Sequence, residues 1–264
     1  SFWRKIEPQP AAAAADEIYS VHDARDGSDF KSIVAAFCDA RYFYKYGAAF
    51  VNSFAQNAAR MNLLHLHIID PDREFTAFLD NLVARVRLPN FVVTINYAPL
   101  DDEARDSLRG TYYCCAPLLH MNHLLERYRK TVLHIDIDTV FEQPLERMVD
   151  CVSGKDVGLL PREPPSSPWL DITANVIIAR NTEPARRYFE AVRNYVNYFM
   201  RRGESCWLID QIALYCVLQM MERFAEPPQV GWITQSAQAS IWHIGHSYDF
   251  KLEEQRFARY QLEP

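Results

Sequence analysis

Two aspartates, Asp136 and Asp138, stand two residues apart in the segment Val132-Leu133-His134-Ile135-Asp136-Ile137-Asp138-Thr139-Val140. In an extended chain, residues i and i+2 project to the same face. Two carboxylates placed together repel each other unless a cation sits between them. Hard divalent ions take oxygen ligands, so the pair would suit Mn²⁺ or Mg²⁺ carrying a diphosphate. The apolar residues ahead of the pair predict a strand that delivers it to a sheet's carboxyl edge. In open α/β sheets, ligands bind beyond those edges. The other reading of the same spacing is an acidic strand end in water.

A sheet must position this pair, and its strands are legible. Ser32–Phe37, Leu63–Ile69, Phe91–Asn96 and Thr131–Ile137 are short apolar runs that suit buried strands. Between them lie a helix over Tyr46–Arg60, a helix carrying Phe75, Phe78, Leu79, Leu82 and Val83, and two further helices over 101–109 and 117–128. The alternation predicts an α/β fold with an open, mostly parallel sheet flanked by helices. The second half is less regular. Val157–Leu160 and Ile172–Ala179 read as strands, Thr182 caps a helix ending before Gly203, and Trp207–Met221 is another helix. Trp232–Ile244 reads as extended. Residues 1–28 read as an irregular N-terminal arm or linker, with a short helix conceivable over Ala11–Ala15. Residues 29–264 read as one catalytic domain.

Composition removes several classes. The chain has 264 residues, a length one large α/β domain can reach. Its net charge is −6, so it carries no basic surplus for a nucleic-acid backbone. The eight glycines stand at 27, 47, 110, 154, 158, 203, 231 and 245, which leaves neither a P-loop nor a dinucleotide fingerprint. No run of 18 apolar residues is present to span a membrane. The six cysteines form no CxxC, and reduced, buried thiols in a cytoplasmic setting are expected. The chain begins at Ser1 without Met, and further domains before it are an expectation. His65 and His67, like His120 and His123, read as packed or surface residues rather than ligands.

The phosphatase motif DxDxT is out of register here, because Thr139 follows Asp138 at once. Thr131–Leu145 instead resembles the DxD segment of GT-A-fold glycosyltransferases, especially family 8. Phe37-Cys38-Asp39-Ala40-Arg41-Tyr42, followed by a helix with Ser53, resembles that family's first strand and D-x-x-Y turn. Trp207-Leu208-Ile209-Asp210-Gln211 resembles its DQ segment, and Ile241-Trp242-His243-Ile244-Gly245-His246 its C-terminal histidine segment. The ordered set covers roughly residues 30–252.

This resemblance implies a GT-A (Rossmann-like) single domain that transfers a sugar from a nucleotide-diphosphate sugar, a UDP-sugar above others. Asp39 and Tyr42 would bind the base, with Cys38 and Ile137 beside the nucleotide. Asp136, Asp138 and His243, with His246 as the alternate, would hold Mn²⁺ or Mg²⁺. Asp210 and Gln211 would face the donor sugar and the acceptor, itself a glycan, lipid or protein. Retention of configuration is favoured. The competing readings are a degenerate GT-A module without activity and a nucleotidyl- or phosphotransferase. Two segments depart from the family: Tyr112-Tyr113-Cys114-Cys115-Ala116 lacks its basic residue, and Thr173-Ala174-Asn175 stands where Asn-Ala-Gly is usual. The proline-dense run from Pro161 to Pro168 reads as a loop over the acceptor pocket or a plain surface connection.

Overall fold

A computed structural model describes residues 2–8, 18–23, 30–86, 88, 91–100, 106–162, 171–204, 208–238, 240–243 and 255–261. In chain order the first half contains α1 (Trp3–Ile6), β1 (Tyr19–His22), β2 (Ser32–Asp39), α2 (Ala40–Asn57), β3 (Asn62–Ile69), α3 (Phe75–Val86), β4 (Phe91–Asn96), α4 (Asp106–Tyr128) and β5 (Thr131–Ile135). The second half contains β6 (Thr139–Phe141), α5 (Glu146–Asp150), β7 (Val157–Pro161), β8 (Ile172–Ala179), α6 (Glu183–Met200), α7 (Ile209–Phe224), β9 (Val230–Trp232), α8 (Gln235–Gln238) and β10 (Ile241–His243). The fold is α/β, with mostly parallel strands flanked by helices, as the strand–helix alternation predicts. The chain forms two compact units, each assembled from three separate segments.

One unit comprises residues 17–97, 135–150 and 234–264. Its strands lie in the order β1-β4-β3-β2. β2, β3 and β4 are parallel and in unbroken register, so Asp39 lies opposite Ile69 and Ile69 opposite Asn96 at the carboxyl edge. Every residue of β3 is buried, which explains its continuous apolar texture. Its two histidines are bonded within the sheet. His65 Nε2 and His67 Nδ1 both meet Thr94 Oγ1, at 2.9 and 2.7 Å, and His67 Nε2 meets Asn96 Oδ1 at 3.1 Å.

The other unit comprises residues 1–16, 98–134 and 151–233. Here β7 pairs antiparallel with β8 and parallel with β9. Thr182 caps α6 by accepting from the Ala185 N–H at 3.4 Å, as its position before a Pro184-containing first turn predicts. The Tyr188 hydroxyl donates to the Leu214 carbonyl at 2.7 Å and ties α6 to α7. β7 and β9 align Gly158 with Gly231. A Cβ on Gly231 would lie 2.5 Å from the Cys151 carbonyl oxygen, so the turn after α5 crosses the strand on bare backbone.

Several expectations change. The helices expected over 101–109 and 117–128 are one helix where they are described, α4, which runs through Pro117. Proline there removes the bond to the Tyr113 carbonyl, which ordinarily breaks a helix. Burial of Tyr112, Cys115, Ala116 and Leu119 around it, with packing against α6 and α7, outweighs that loss. α2 begins at Ala40, six residues earlier than the periodicity suggests. Within the stretch expected to be extended near the C-terminus, a short helix, α8, separates β9 from β10. The stretch expected as an irregular arm is ordered where it is described. Trp3 and Ile6, one turn apart, bury themselves in the unit holding α6, and Tyr19–His22 pairs antiparallel with β4. The possible helix over Ala11–Ala15 lies outside the described residues. The described cysteines Cys38, Cys114, Cys115, Cys151 and Cys216 are free thiols.

Two outcomes follow from these units. Gly231→Ala should destabilise the protein by about 1–3 kcal/mol in urea denaturation, because the added methyl meets backbone that cannot rotate away. His120 on α4 is held neutral: burial, then His123 and Arg193, lower its pKa to about 4. The unfolded chain, near 6.5, binds more protons in this range. Stability should therefore fall as pH drops from about 6.5 toward 4. His120→Leu should flatten that slope in urea midpoints measured across the range.

Candidate active site

The site begins with a helix cap. Asp39 ends β2, and its Oδ1 accepts from the Tyr42 backbone N–H at 2.7 Å, which starts α2 at the carboxyl edge of the sheet. One turn in, the Tyr42 hydroxyl donates to Asp138 Oδ2 at 3.0 Å. A single helical turn thus brings Asp39, Tyr42 and Asp138 together. Tyr42 keeps 43% of its surface exposed, so its role is not core packing. Its ring meets Tyr46 edge-on at 4.8 Å, and Tyr46 meets Phe257 at 5.6 Å. Partial burial and the Asp138 carboxylate raise the Tyr42 phenol well above its ordinary value, so it stays a neutral donor.

The aspartate pair occupies the turn between β5 and β6. Asp138 is nine-tenths buried and Asp136 partly exposed. α2 secures the far end of this turn. Phe141 N–H donates to Ser53 Oγ at 3.1 Å, and Asn57 Nδ2 donates to the Phe141 carbonyl at 2.8 Å. Phe50 and Phe54 pack edge-on against the Phe141 ring at 5.0 and 5.4 Å. Ile137 is buried, so a role beside a nucleotide falls to its backbone. Antiparallel pairing of β10 with β6 sets His243 opposite Thr139, next to Asp138 in sequence. The His243 side chain and all of His246 lie outside the described residues.

The local field is acidic. Burial pushes the Cys38 thiol well up, and Asp39, Asp138 and Asp136 push it further. Cys38 is therefore no nucleophile. Two oxygen donors from Asp136 and Asp138 suit a hard divalent cation, which would require further ligands. Among the described residues no three His, Cys, Asp or Glu side chains gather as a metal site.

Asp210 and Gln211 belong to the other unit. Leu208 caps α7 in the left-handed region, at φ 68°, a conformation costing a β-carbon-bearing residue about 1–2 kcal/mol. This places Asp210 and Gln211 in the first turn of α7. Asp210 lies near the buried Cys115 thiol and adds to the upward shift that burial imposes on it. Gln211 is nine-tenths buried, and its Oε1 accepts from Arg162 Nη2 at 3.3 Å. In the same unit Thr173 Oγ1 donates to Asn175 Oδ1 at 2.6 Å. The expected loop over 161–168 lies outside the described residues from 163 on.

Sequence reasoning missed Asn57, Tyr46, Phe257 and Arg162. Asn57 stands four residues after Ser53, a one-face spacing on a helix that was available as a signal. Arg162 was visible as the cation closing a strand. Phe257 carried no signal, since only packing brings it to Tyr46.

No protein-family model matches the chain, and no curated protein sequence matches it. Solved structures do resemble it. The glycosyltransferase GlyE of Streptococcus pneumoniae TIGR4 superposes with a TM-score of 0.57 at 10% identity, over 89% of this chain and 61% of that one. The bifunctional glycosyltransferase WbbM in its apo form superposes with a TM-score of 0.53 at 14% identity, over 91% and 53%. Apo mouse xyloside xylosyltransferase 1 aligns at 13% identity over 74% and 84%, with a TM-score of 0.45. The fold assignment rests on GlyE and WbbM: this chain has the GT-A-type fold of solved glycosyltransferases. It spans 61% of the length of GlyE and 53% of that of WbbM.

The thiols provide a check on the site. Iodoacetamide at pH 8 should modify the exposed Cys114 and spare Cys38 in the native protein, as read by peptide mass spectrometry. Rapid labelling of Cys38 would contradict its burial at the end of β2.

Proposed function

We propose that this chain is a glycosyltransferase that moves a sugar from a nucleotide-diphosphate sugar, a UDP-sugar, to a glycan, lipid or protein acceptor. The observation that carries the reading is the Tyr42–Asp138 hydrogen bond at 3.0 Å. It joins a half-exposed aromatic ring, suited to stacking on a base, to one of the paired aspartates at the sheet's carboxyl edge. The GT-A-type fold supports the same reading.

The roles follow from the chemistry. Asp39, beyond its capping bond, has a second carboxylate oxygen to accept from a base N–H. Asp136 and Asp138, with His243 or His246, would hold Mn²⁺ or Mg²⁺. When bound, such an ion neutralises the charge that builds on the departing diphosphate. Tyr42 holds one oxygen of Asp138, which orients that carboxylate. Gln211, with Arg162 on its oxygen, would offer its amide nitrogen to sugar hydroxyls. Asp210 would act as a general base only in an inverting reaction, and the likeness to family 8 favours retention. No helix among the described residues is long and apolar enough to cross a membrane.

Thermal shift with UDP, GDP and CDP, each with and without Mn²⁺, tests the proposal. UDP with Mn²⁺ should raise the melting temperature more than either alone. Asp138→Asn should remove the Mn²⁺-dependent part and leave the ligand-free melting temperature within a few degrees. Stabilisation by none of the three nucleotides would sink the reading.

A further inference from the structure

One cavity contains none of the residues assigned above. It is a groove of about 710 Å³ between α2 and α3, within the unit that carries the aspartate pair. Tyr44 on α2 and Phe78 on α3 form its aromatic wall, edge-to-face at 4.9 Å. The Tyr44 hydroxyl donates to Asp72, so the ring is pinned before any ligand arrives. Ala77 lines the groove without filling it, and Asn81 lies one turn along the same face of α3. Arg73 precedes α3 and Arg85 lies in its last turn, and both line the groove. From Phe75 to Arg85 the helix rises ~15 Å, so the backbone positions of the two arginines are several sugar rings apart.

The groove gathers charged groups: Arg73, Arg85 and Glu74 line it, and Asp72 adjoins it on the Tyr44 hydroxyl. Among the described residues neither arginine forms an ion pair. A pinned aromatic wall meets the apolar face of a sugar ring while its edge stays wet. An amide and two guanidinium forks meet hydroxyls and acidic substituents, the latter bidentately. We propose that this groove is a second, non-catalytic site that holds an acidic oligosaccharide, with its carboxylate or sulfate groups on Arg73 and Arg85. The choice of a sugar chain rests on the glycosyltransferase reading; the charge and shape argument does not involve the metal or the nucleotide.

Calorimetry with hyaluronan and heparin hexasaccharides, carboxyl-reduced hyaluronan and a uridine hexanucleotide tests this. At least one acidic oligosaccharide should bind, more weakly as salt rises. Preference for hyaluronan would assign the acidic group as carboxylate, and for heparin as sulfate. Arg73→Ala and Arg85→Ala should each weaken that binding about tenfold. Asp138→Asn should leave it unchanged, and the arginine variants should keep the UDP and Mn²⁺ thermal shift. Binding of neither acidic chain, equal binding of the carboxyl-reduced chain and its acidic parent, tighter binding of the oligonucleotide, or no effect of the arginine substitutions overturns the proposal. A protein that binds the acidic chain but no nucleotide would keep the groove and lose the transferase.

Discussion

The proposed active site depends on how one helix grips one turn. α2 is started by the Asp39 cap, and its first turn reaches Asp138 through the Tyr42 hydroxyl. Its last turns hold the Phe141 backbone, whose N–H donates to Ser53 Oγ and whose carbonyl accepts from Asn57 Nδ2, and pack against its ring. The far side of the turn that bears the aspartates, from Asp138 to Phe141, is therefore bonded at two points to the same rigid rod. A carboxylate nine-tenths removed from water is expensive to keep charged unless its partners are fixed in place. The helix supplies that fixity, and capping, orientation and burial are consequences of a single placement.

The same constraint explains the acidic field. Asp39, Asp136 and Asp138 act together on the Cys38 thiol, a grouping that self-repulsion opposes in the absence of a cation. Under the proposed function the cation relieves that repulsion and carries the diphosphate. The chain then needs no glycine-rich cradle, which agrees with eight glycines scattered along 264 residues. The glycines that matter structurally lie elsewhere: Gly158 and Gly231 face each other so that the Cys151–Val152 turn can cross β9.

Much of the architecture was legible. The runs Ser32–Phe37, Leu63–Ile69, Phe91–Asn96 and Ile172–Ala179 are strands because residues buried on both sides leave a continuous apolar signature. Thr182 and Pro184 announced α6 by local capping chemistry. Local rules failed where distant contacts decide. Pro117 signals a break, but the buried face around it, packed against α6 and α7, keeps α4 whole. The early turns of α2 carry Arg41, Tyr42, Tyr44 and Lys45 on exposed or half-exposed positions, which hides the helical period. β6 and β10 are three residues each and exist through their mutual pairing. At the site, the aspartate pair stood out by type and spacing, whereas Asp39 and Tyr42 were named through the resemblance to GT-A glycosyltransferases. Phe257 could not, because its contact with Tyr46 spans most of the chain.

The sequence by itself determined the α/β class and the strands of the parallel sheet, and it singled out the paired carboxylates as candidates. Those depend on burial periodicity and near-neighbour spacing, which a linear chain records. Only the tertiary structure decided that Tyr42 bonds Asp138 across 96 residues of sequence, that Gln211 meets Arg162, and that α2 and α3 leave a groove lined by Arg73 and Arg85. Each depends on where the termini of separate elements arrive. That is set by the summed packing of the sheet and its helices, and no local stretch of residues encodes it.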